Sequence, residues 1–183
     1  ATYGDGPLDL SASSTSGLGV TFSSSDPEVL EVNGTKAHVR GAGVATIVVH
    51  QSGDANYDPA PELNATVVVH PAKLDAIAHP ASKAYLEELP ELSFHYEGFV
   101  NEENATVLLS EPAIEVNATA SSPAGEYAIT LHGGSGSNYH LVRHGSLLTI
   151  GATTQALFDF AVEANATYGD GPLDLSASST SGL

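Results

Sequence analysis

The chain contains no cysteine, no methionine and no tryptophan, and only 5 Lys and Arg stand against 22 Asp and Glu. Without cysteine there are neither disulfide staples nor thiolate metal ligands, so burial alone must hold the fold. A formal net charge of −17 over 183 residues argues against binding nucleic acid or anionic membranes, both of which depend on cationic contacts. No apolar run approaches the ~20 residues of a membrane helix. No basic-then-apolar leader is present either, and the segment reads as part of a longer exported precursor. What remains is 42% hydrophobic, too apolar for a disordered acidic tail. The chain should fold, carry like charge that keeps copies apart, and offer few trypsin sites.

Two kinds of repetition organise it. Residues Ala166 to Leu183 repeat Ala1 to Leu18 letter for letter, an offset of 165 residues. Agreement of that quality points to a recently duplicated or homogenised tandem array rather than a diverged solenoid. The second repetition is shorter. All five Asn-x-Thr triplets have a glutamate two residues before the asparagine: Glu31 with Asn33, Glu62 with Asn64, Glu102 with Asn104, Glu115 with Asn117, and Glu163 with Asn165. Asn56, Asn101 and Asn138 have no hydroxyl residue at +2. Asn-x-Thr is an acceptor pattern for N-linked glycan on an exposed segment. The bland alternative is that Glu-x-Asn-x-Thr marks one copied turn, but the five surroundings are dissimilar.

Short alternating runs separated by turn signals every 8–12 residues predict an all-β chain of sandwich type. In the first part, strands are expected at Leu8–Ala12, Val20–Ser23, Val29–Val32, Lys36–Val39, Val44–Val49 and Thr66–Val69, with a hairpin turn at Asn33-Gly34. His70-Pro71-Ala72-Lys73 reads as a linker, because Pro71 cannot donate to a ladder. Further strands are expected at Leu74–Ala78, Leu92–Tyr96, Ala105–Leu109, Ile114–Val116, Glu126–Leu131, Tyr139–Val142 and Leu147–Ile150. Pro90, Pro112, Pro123 and the Gly133–Gly136 cluster punctuate them, and a helical turn near Ser82–Glu88 is the one helix candidate. Leu157–Glu163 alternates and precedes the second copy of the Thr-Tyr-Gly-Asp-Gly motif. It should therefore be the first strand of the next copy's first domain, leaving the copy at Ala1 without its own. Such an edge recruits a strand, supplied covalently by the parent chain or donated by a neighbouring copy.

Several short motifs are familiar together. Tyr3-Gly4-Asp5, Ser16-Gly17-Leu18, Val20 through Pro27, Gly41 through Ile47 and Gly53 through Tyr57 resemble bacterial Ig-like repeats of large surface proteins. Tyr96 through Asn101, Ser122 through Tyr127 and Gly133 through Tyr139 resemble the companion MBG-type domain. The pattern departs at Tyr85-Leu86-Glu87, where Tyr-Gly-Asp would be expected. The five acidic Asn-x-Thr segments resemble the sequon of bacterial oligosaccharyltransferases, which would then act on the chain during export. The resemblance implies two tandem Ig-like sandwiches per period, spanning 1–72 and 73–152, with 153–183 opening the next copy. It implies an extracellular structural module of a filament or giant adhesin, alternatively a module that grips a host or carbohydrate receptor. It implies no catalytic residue.

Other chemistry is weak in the sequence. His140 and His144 share a strand face but lie ~13 Å apart, too far to share an ion, and the other histidines are scattered. Asp54, Asn56 and Asp58 could offer oxygens to Ca²⁺, with Glu62 or Asp75 at a junction, but Asx residues are ordinary turn formers. Lys36, Lys73 and Lys83 fit no isopeptide pattern. Gly133-Gly134-Ser135-Gly136-Ser137 misses the nucleophile-elbow pattern, and Glu87-Glu88 and Glu102-Glu103 read as solvated loops. No enzyme, cofactor or metal is expected. Tyr57 and Tyr139 each follow an asparagine after a glycine-bearing loop, and each should bury its ring with the hydroxyl tied to backbone.

Overall fold

A computed structural model describes residues 1–161 and 176–180. It is all-β among the described residues apart from one 3₁₀ turn. In chain order the first strands are β1 (Leu8–Asp9), β2 (Thr21–Ser24), β3 (Leu30–Asn33), β4 (Lys36–Val39), β5 (Gly43–His50) and β6 (Leu63–Val69). There follow β7 (Ala72–Ala78), β8 (Ala81–Ala84), β9 (Phe94–Glu97), the 3₁₀ turn (Ala105–Val107), β10 (Ser110–Val116), β11 (Gly125–Ser135), β12 (Tyr139–His144) and β13 (Ser146–Gly151). The last two are β14 (Leu157–Ala161) and β15 (Ser176–Ser179).

The first six strands make two three-stranded sheets, β1-β4-β3 and β2-β5-β6. Val29, Leu30, Ala37, Ala45, Ile47 and Val69 are buried together between them, and within β5 the buried Ala45 and Ile47 alternate with less buried neighbours as a strand with one buried face must. Strands β7 to β13 make a four-stranded sheet, β10-β11-β13-β8, and a three-stranded sheet, β12-β7-β9. Their core gathers Ala76, Ala78, Ile129, Leu131, Leu148 and Ile150. A third cluster joins the two halves, with Tyr3, Ala72, Leu74, Tyr139 and Leu141 buried. Val39 packs on both the first and third clusters, and Tyr96 on both the second and third.

Several expectations are corrected. The β3–β4 hairpin exists, but Asn33 pairs with Lys36 and the two-residue loop is Gly34-Thr35, one position later than read. Gly34 takes φ +61°, which a first loop position of this turn class demands. Residues 105–107 wind into a 3₁₀ turn because Asn104 caps them, its side chain accepting the Thr106 N–H. Ser82 and Lys83 lie in β8, so no helical turn forms there. Pro112 does not end a strand; β10 is an edge strand, where the missing N–H faces no partner. Nor do Gly133 and Gly134 interrupt β11: at φ +66° and +80° they carry it past Pro112. A Cβ on Gly134 would lie 2.8 Å from that ring. The linker shrinks to Pro71, since His70 bridges Thr2 and β7 begins at Ala72. The last two residues of the strand expected at Leu157–Glu163 lie outside the described residues.

Candidate functional site: the joint and the sequons

The joint is built by a turn at Tyr3. The Tyr3 N–H donates to the His70 carbonyl (2.8 Å) and the Asp5 N–H to the Thr2 carbonyl (3.0 Å). The Asp5 carboxylate closes the loop by accepting the Thr2 N–H at 2.7 Å. Gly4 makes this possible: its φ is +93°, and a Cβ there would press into Val100 at 2.8 Å, so both the backbone and the close approach require glycine. The turn delivers the Tyr3 ring, 6% exposed, into the second half.

There Tyr3 meets Tyr139 edge to face at 5.7 Å between centroids. Tyr139 meets Phe99, Phe99 meets Tyr96 and Tyr96 meets Phe94, each edge to face at 5.2–5.4 Å. An aromatic row thus runs from the joint into the second core, in the geometry that ring quadrupoles favour. Glu103 finishes the joint. Its carboxylate accepts the Tyr3 hydroxyl at 2.7 Å and the Tyr139 hydroxyl on its other oxygen. Burial, then the hydrogen bond to the Glu103 carboxylate, pushes Tyr139 up to about 12 and raises Tyr3 in the same direction. Beside this, the Ala42 N–H donates to Asn138 Oδ1 at 2.9 Å, and Gly41 admits the approach to the Glu28 carbonyl and Asn138.

Sequence reasoning placed Tyr139 correctly: it is buried, accepts the Val100 N–H (3.1 Å) and bonds a carboxylate as well. It misplaced Tyr57, which is 53% exposed in a segment belonging to no strand. It missed Tyr3 and read Glu103 as solvated. The signal for Tyr3 was present in the motif's exact recurrence, but its partner lies 100 residues away. Phe99 is packed between Tyr96 and Tyr139.

Four of the five sequons lie among the described residues, and Glu163 and Asn165 lie outside them. Asn33, Asn64, Asn104 and Asn117 are all exposed, as are Thr35, Thr66, Thr106 and Thr119. Asn33 ends β3, Asn64 lies in β6, Asn104 caps the 3₁₀ turn and Asn117 follows β10. Their glutamates Glu31, Glu62, Glu102 and Glu115 are exposed too. Three face a basic side chain: Glu31 pairs with Arg40 at 2.6 Å, Glu62 with His50 at 2.8 Å, and Glu115 lies 3.9 Å from His132.

The remaining candidates stay apart. Asp54 Oδ1 accepts the N–H groups of Asn56 and Tyr57, an Asx turn that occupies the carboxylate. Asp75 is held below the usual carboxylate range by Lys73 first and His144 second. Among the described residues no three His, Cys, Asp or Glu converge around a metal position. Lys36 pairs with Asp9. Buried Lys83 donates to the carbonyls of Ala84, Glu87 and Ala120, which satisfies all three protons. Ser135 Oγ bonds Ser110 Oγ. Ser23, His50 and Glu62 form a hydrogen-bonded row. Ser23 and His50 alternate with inward-facing Phe22 and Val49 on paired strands, so the row lies on the solvent side of its sheet.

Residues 74–149 match the family model of the MBG domain, YGX type. The matched segment begins within β7 and ends within β13, and is consistent with an MBG-type repeat. No curated protein matches the chain.

Proposed function

We propose that the chain is a structural repeat module of an extracellular, N-glycosylated surface filament or large adhesin, acting as extender. Each 165-residue period holds two Ig-like sandwiches in tandem, 1–72 and 73–152, and 153–183 opens the next. The observation that carries this reading is the buried joint. A stalk must transmit length without folding back, and a tyrosine docked in the next unit resists bending in a way an exposed linker would not. Exposed acceptor asparagines on both halves support the glycan part of the reading. Sugars there would cover sheet edges and oppose sideways pairing, while the acidic surface repels neighbouring strings. The module works mechanically, with no catalytic residue, no metal and no cofactor beyond attached glycan.

Glycopeptide mass spectrometry on native material, with the denatured mass of the mature protein, tests it. Occupied Asn33, Asn64, Asn104 and Asn117 in a chain of many periods is the expected result. Bare asparagines in a mature chain near one period would overturn it.

A further inference from the structure

Four of the eight histidines stand on one sheet face. In the sheet β12-β7-β9, the buried Leu74, Ala76 and Ala78 of β7 and Leu141 of β12 point into the core. Side chains alternate across a strand, so the opposite face carries His140 and His144 of β12 and His95 of β9. His79, one residue past β7, extends that face: its N–H donates to the Ser93 carbonyl at 2.9 Å, continuing the ladder with β9. His144 is held by Asp75 at 2.6 Å. The other contact between these histidines and their neighbours is a pair.

His79 and His95 meet diagonally across β7 and β9. Their facing nitrogens, His79 Nε2 and His95 Nδ1, are 2.8 Å apart, with ring centroids at 4.9 Å and planes 16° from parallel. The far nitrogen of each ring is also held. His79 Nδ1 lies 3.0 Å from Ser93 Oγ, and His95 Nε2 lies 3.3 Å from Glu97 Oε1. An ionised carboxylate only accepts, so His95 carries its proton on Nε2 and its Nδ1 is a lone pair in the neutral ring. The Ser93 hydroxyl donates or accepts equally well, which lets His79 hold its proton on either nitrogen. With that proton on Nδ1 and donated to Ser93, two lone pairs face each other, and a cation between them removes the repulsion.

This is how imidazoles ligate metals: one nitrogen toward the ion, the other N–H donated to an oxygen that fixes tautomer and ring orientation. With zinc–nitrogen bonds of about 2.0–2.1 Å, two bound nitrogens sit about 2.9 Å apart at a right angle and about 3.3 Å apart in a tetrahedron. The pair therefore needs to open by about half an ångström at most, a small swing for exposed side chains. The backbone beneath is fixed, since Ala78 and Phe94, which alternate with His79 and His95, pair with each other and pack in the second core.

We propose that His79 and His95 form a two-imidazole site for a transition-metal dication of the copper, nickel and zinc class, with Ser93 and Glu97 setting the tautomers and water completing the shell. Imidazole suits these ions, whereas calcium and magnesium need a shell of oxygens that the pair does not supply. The net charge of −17 draws cations to the surface. The site goes beyond the extender reading, whose mechanics use no metal.

Isothermal titration of the 183-residue chain with nickel chloride in a non-chelating buffer at neutral pH tests it. The expected result is one equivalent bound, a urea midpoint that rises with nickel, and no heat with calcium chloride. His79→Gln and His95→Gln, both at exposed positions, should each abolish that equivalent and the rise in midpoint. His140→Gln, on the same face but across β7 from His95, should keep both. Ser93→Ala, which leaves the two ligands in place, should weaken binding by about tenfold through loss of the partner to a ligand ring. A pair with a purely structural role would lower the metal-free midpoint on substitution and show no nickel dependence. That result, or an equivalent retained in either single variant or lost in His140→Gln, overturns the proposal. Glycan occupancy and parent mass are untouched by either outcome, so the extender reading stands or falls separately.

Discussion

Replacing Glu103 by alanine should be the most damaging single polar change in the molecule, and it should act on the connection between halves. The carboxylate accepts two hydroxyls from rings that are 6% and 4% exposed. Removing it strands both donors away from water, at about 1–3 kcal/mol each. Tyr139 has a fallback in the Val100 carbonyl at 3.4 Å, so its share belongs at the low end. A total of about 2–4 kcal/mol follows. Urea unfolding followed by tyrosine fluorescence reads this directly, since the chain has 7 Tyr and no Trp. Loss of the joint should also split a shared transition into two, because Tyr3 belongs to one half and Glu103 and Tyr139 to the other. The decisive arm is a cycle with Tyr3→Phe and Tyr139→Phe. With both hydroxyls gone, Glu103→Ala should cost less than about 0.5 kcal/mol, the coupling having been removed. A single-variant loss below about 0.5 kcal/mol, or an equal loss in the Phe background, would refute the reasoning.

The same joint sets an alkaline limit. Tyr139 is protonated in the fold up to about 12 against 10.0 unperturbed, so its contribution is complete below pH 10 and disappears as pH rises toward 12. Linkage therefore predicts a loss of stability over that range, and Tyr139→Phe should flatten a plot of urea midpoint against pH in that window. Among the described residues the buried Tyr96 hydroxyl has no hydrogen-bond partner, so Tyr96→Phe should be neutral or stabilising; a loss above about 1 kcal/mol in the same assay would show a partner exists. Leu86 occupies φ +69° with 63% of its surface exposed. Leu86→Gly should raise stability by about 1 kcal/mol through relief of that conformation, and a fall in Tm would count against strain at the turn.

What could be read from the sequence was local. The β-branched run Val44–Val49 and the segment Leu74–Ala78 correspond to β5 and β7, as β-branched residues on a half-buried pleat favour. The Asn-Gly signal located a hairpin but not its register, which Asn33 pairing with Lys36 decides. Ala105–Leu109 is apolar enough to read as a strand, yet the cap at Asn104 wins, a side-chain bond that such a reading does not register. The joint was least legible. Glu103 looks like one of two adjacent loop acids, and nothing near it announces Tyr3. Tyr57 went wrong for the opposite reason: its local motif matches that of Tyr139, but it lies 53% exposed in a segment that belongs to no strand.

The turns at Tyr3 and Tyr85 correspond, the Glu87 carboxylate accepting the Ala84 N–H as that of Asp5 accepts the Thr2 N–H. They are stabilised by different means, and the difference locates stiffness. At Tyr3 the ring leaves its own half and is fixed by Tyr139 and Glu103 of the next. At Tyr85 the ring is 39% exposed, and the turn is held from inside, by Lys83 donating to the carbonyls of Ala84, Glu87 and Ala120. A turn held internally keeps its shape whatever lies beyond it. A turn whose tyrosine is anchored in a neighbour fixes the neighbour as well. Resistance to bending therefore resides where a tyrosine finds an acceptor carboxylate across the boundary, and the proline between β6 and β7 is secondary to it. Exact recurrence of Thr-Tyr-Gly-Asp-Gly at Thr167–Gly171 is what a chain needs to place such an anchor once in every period.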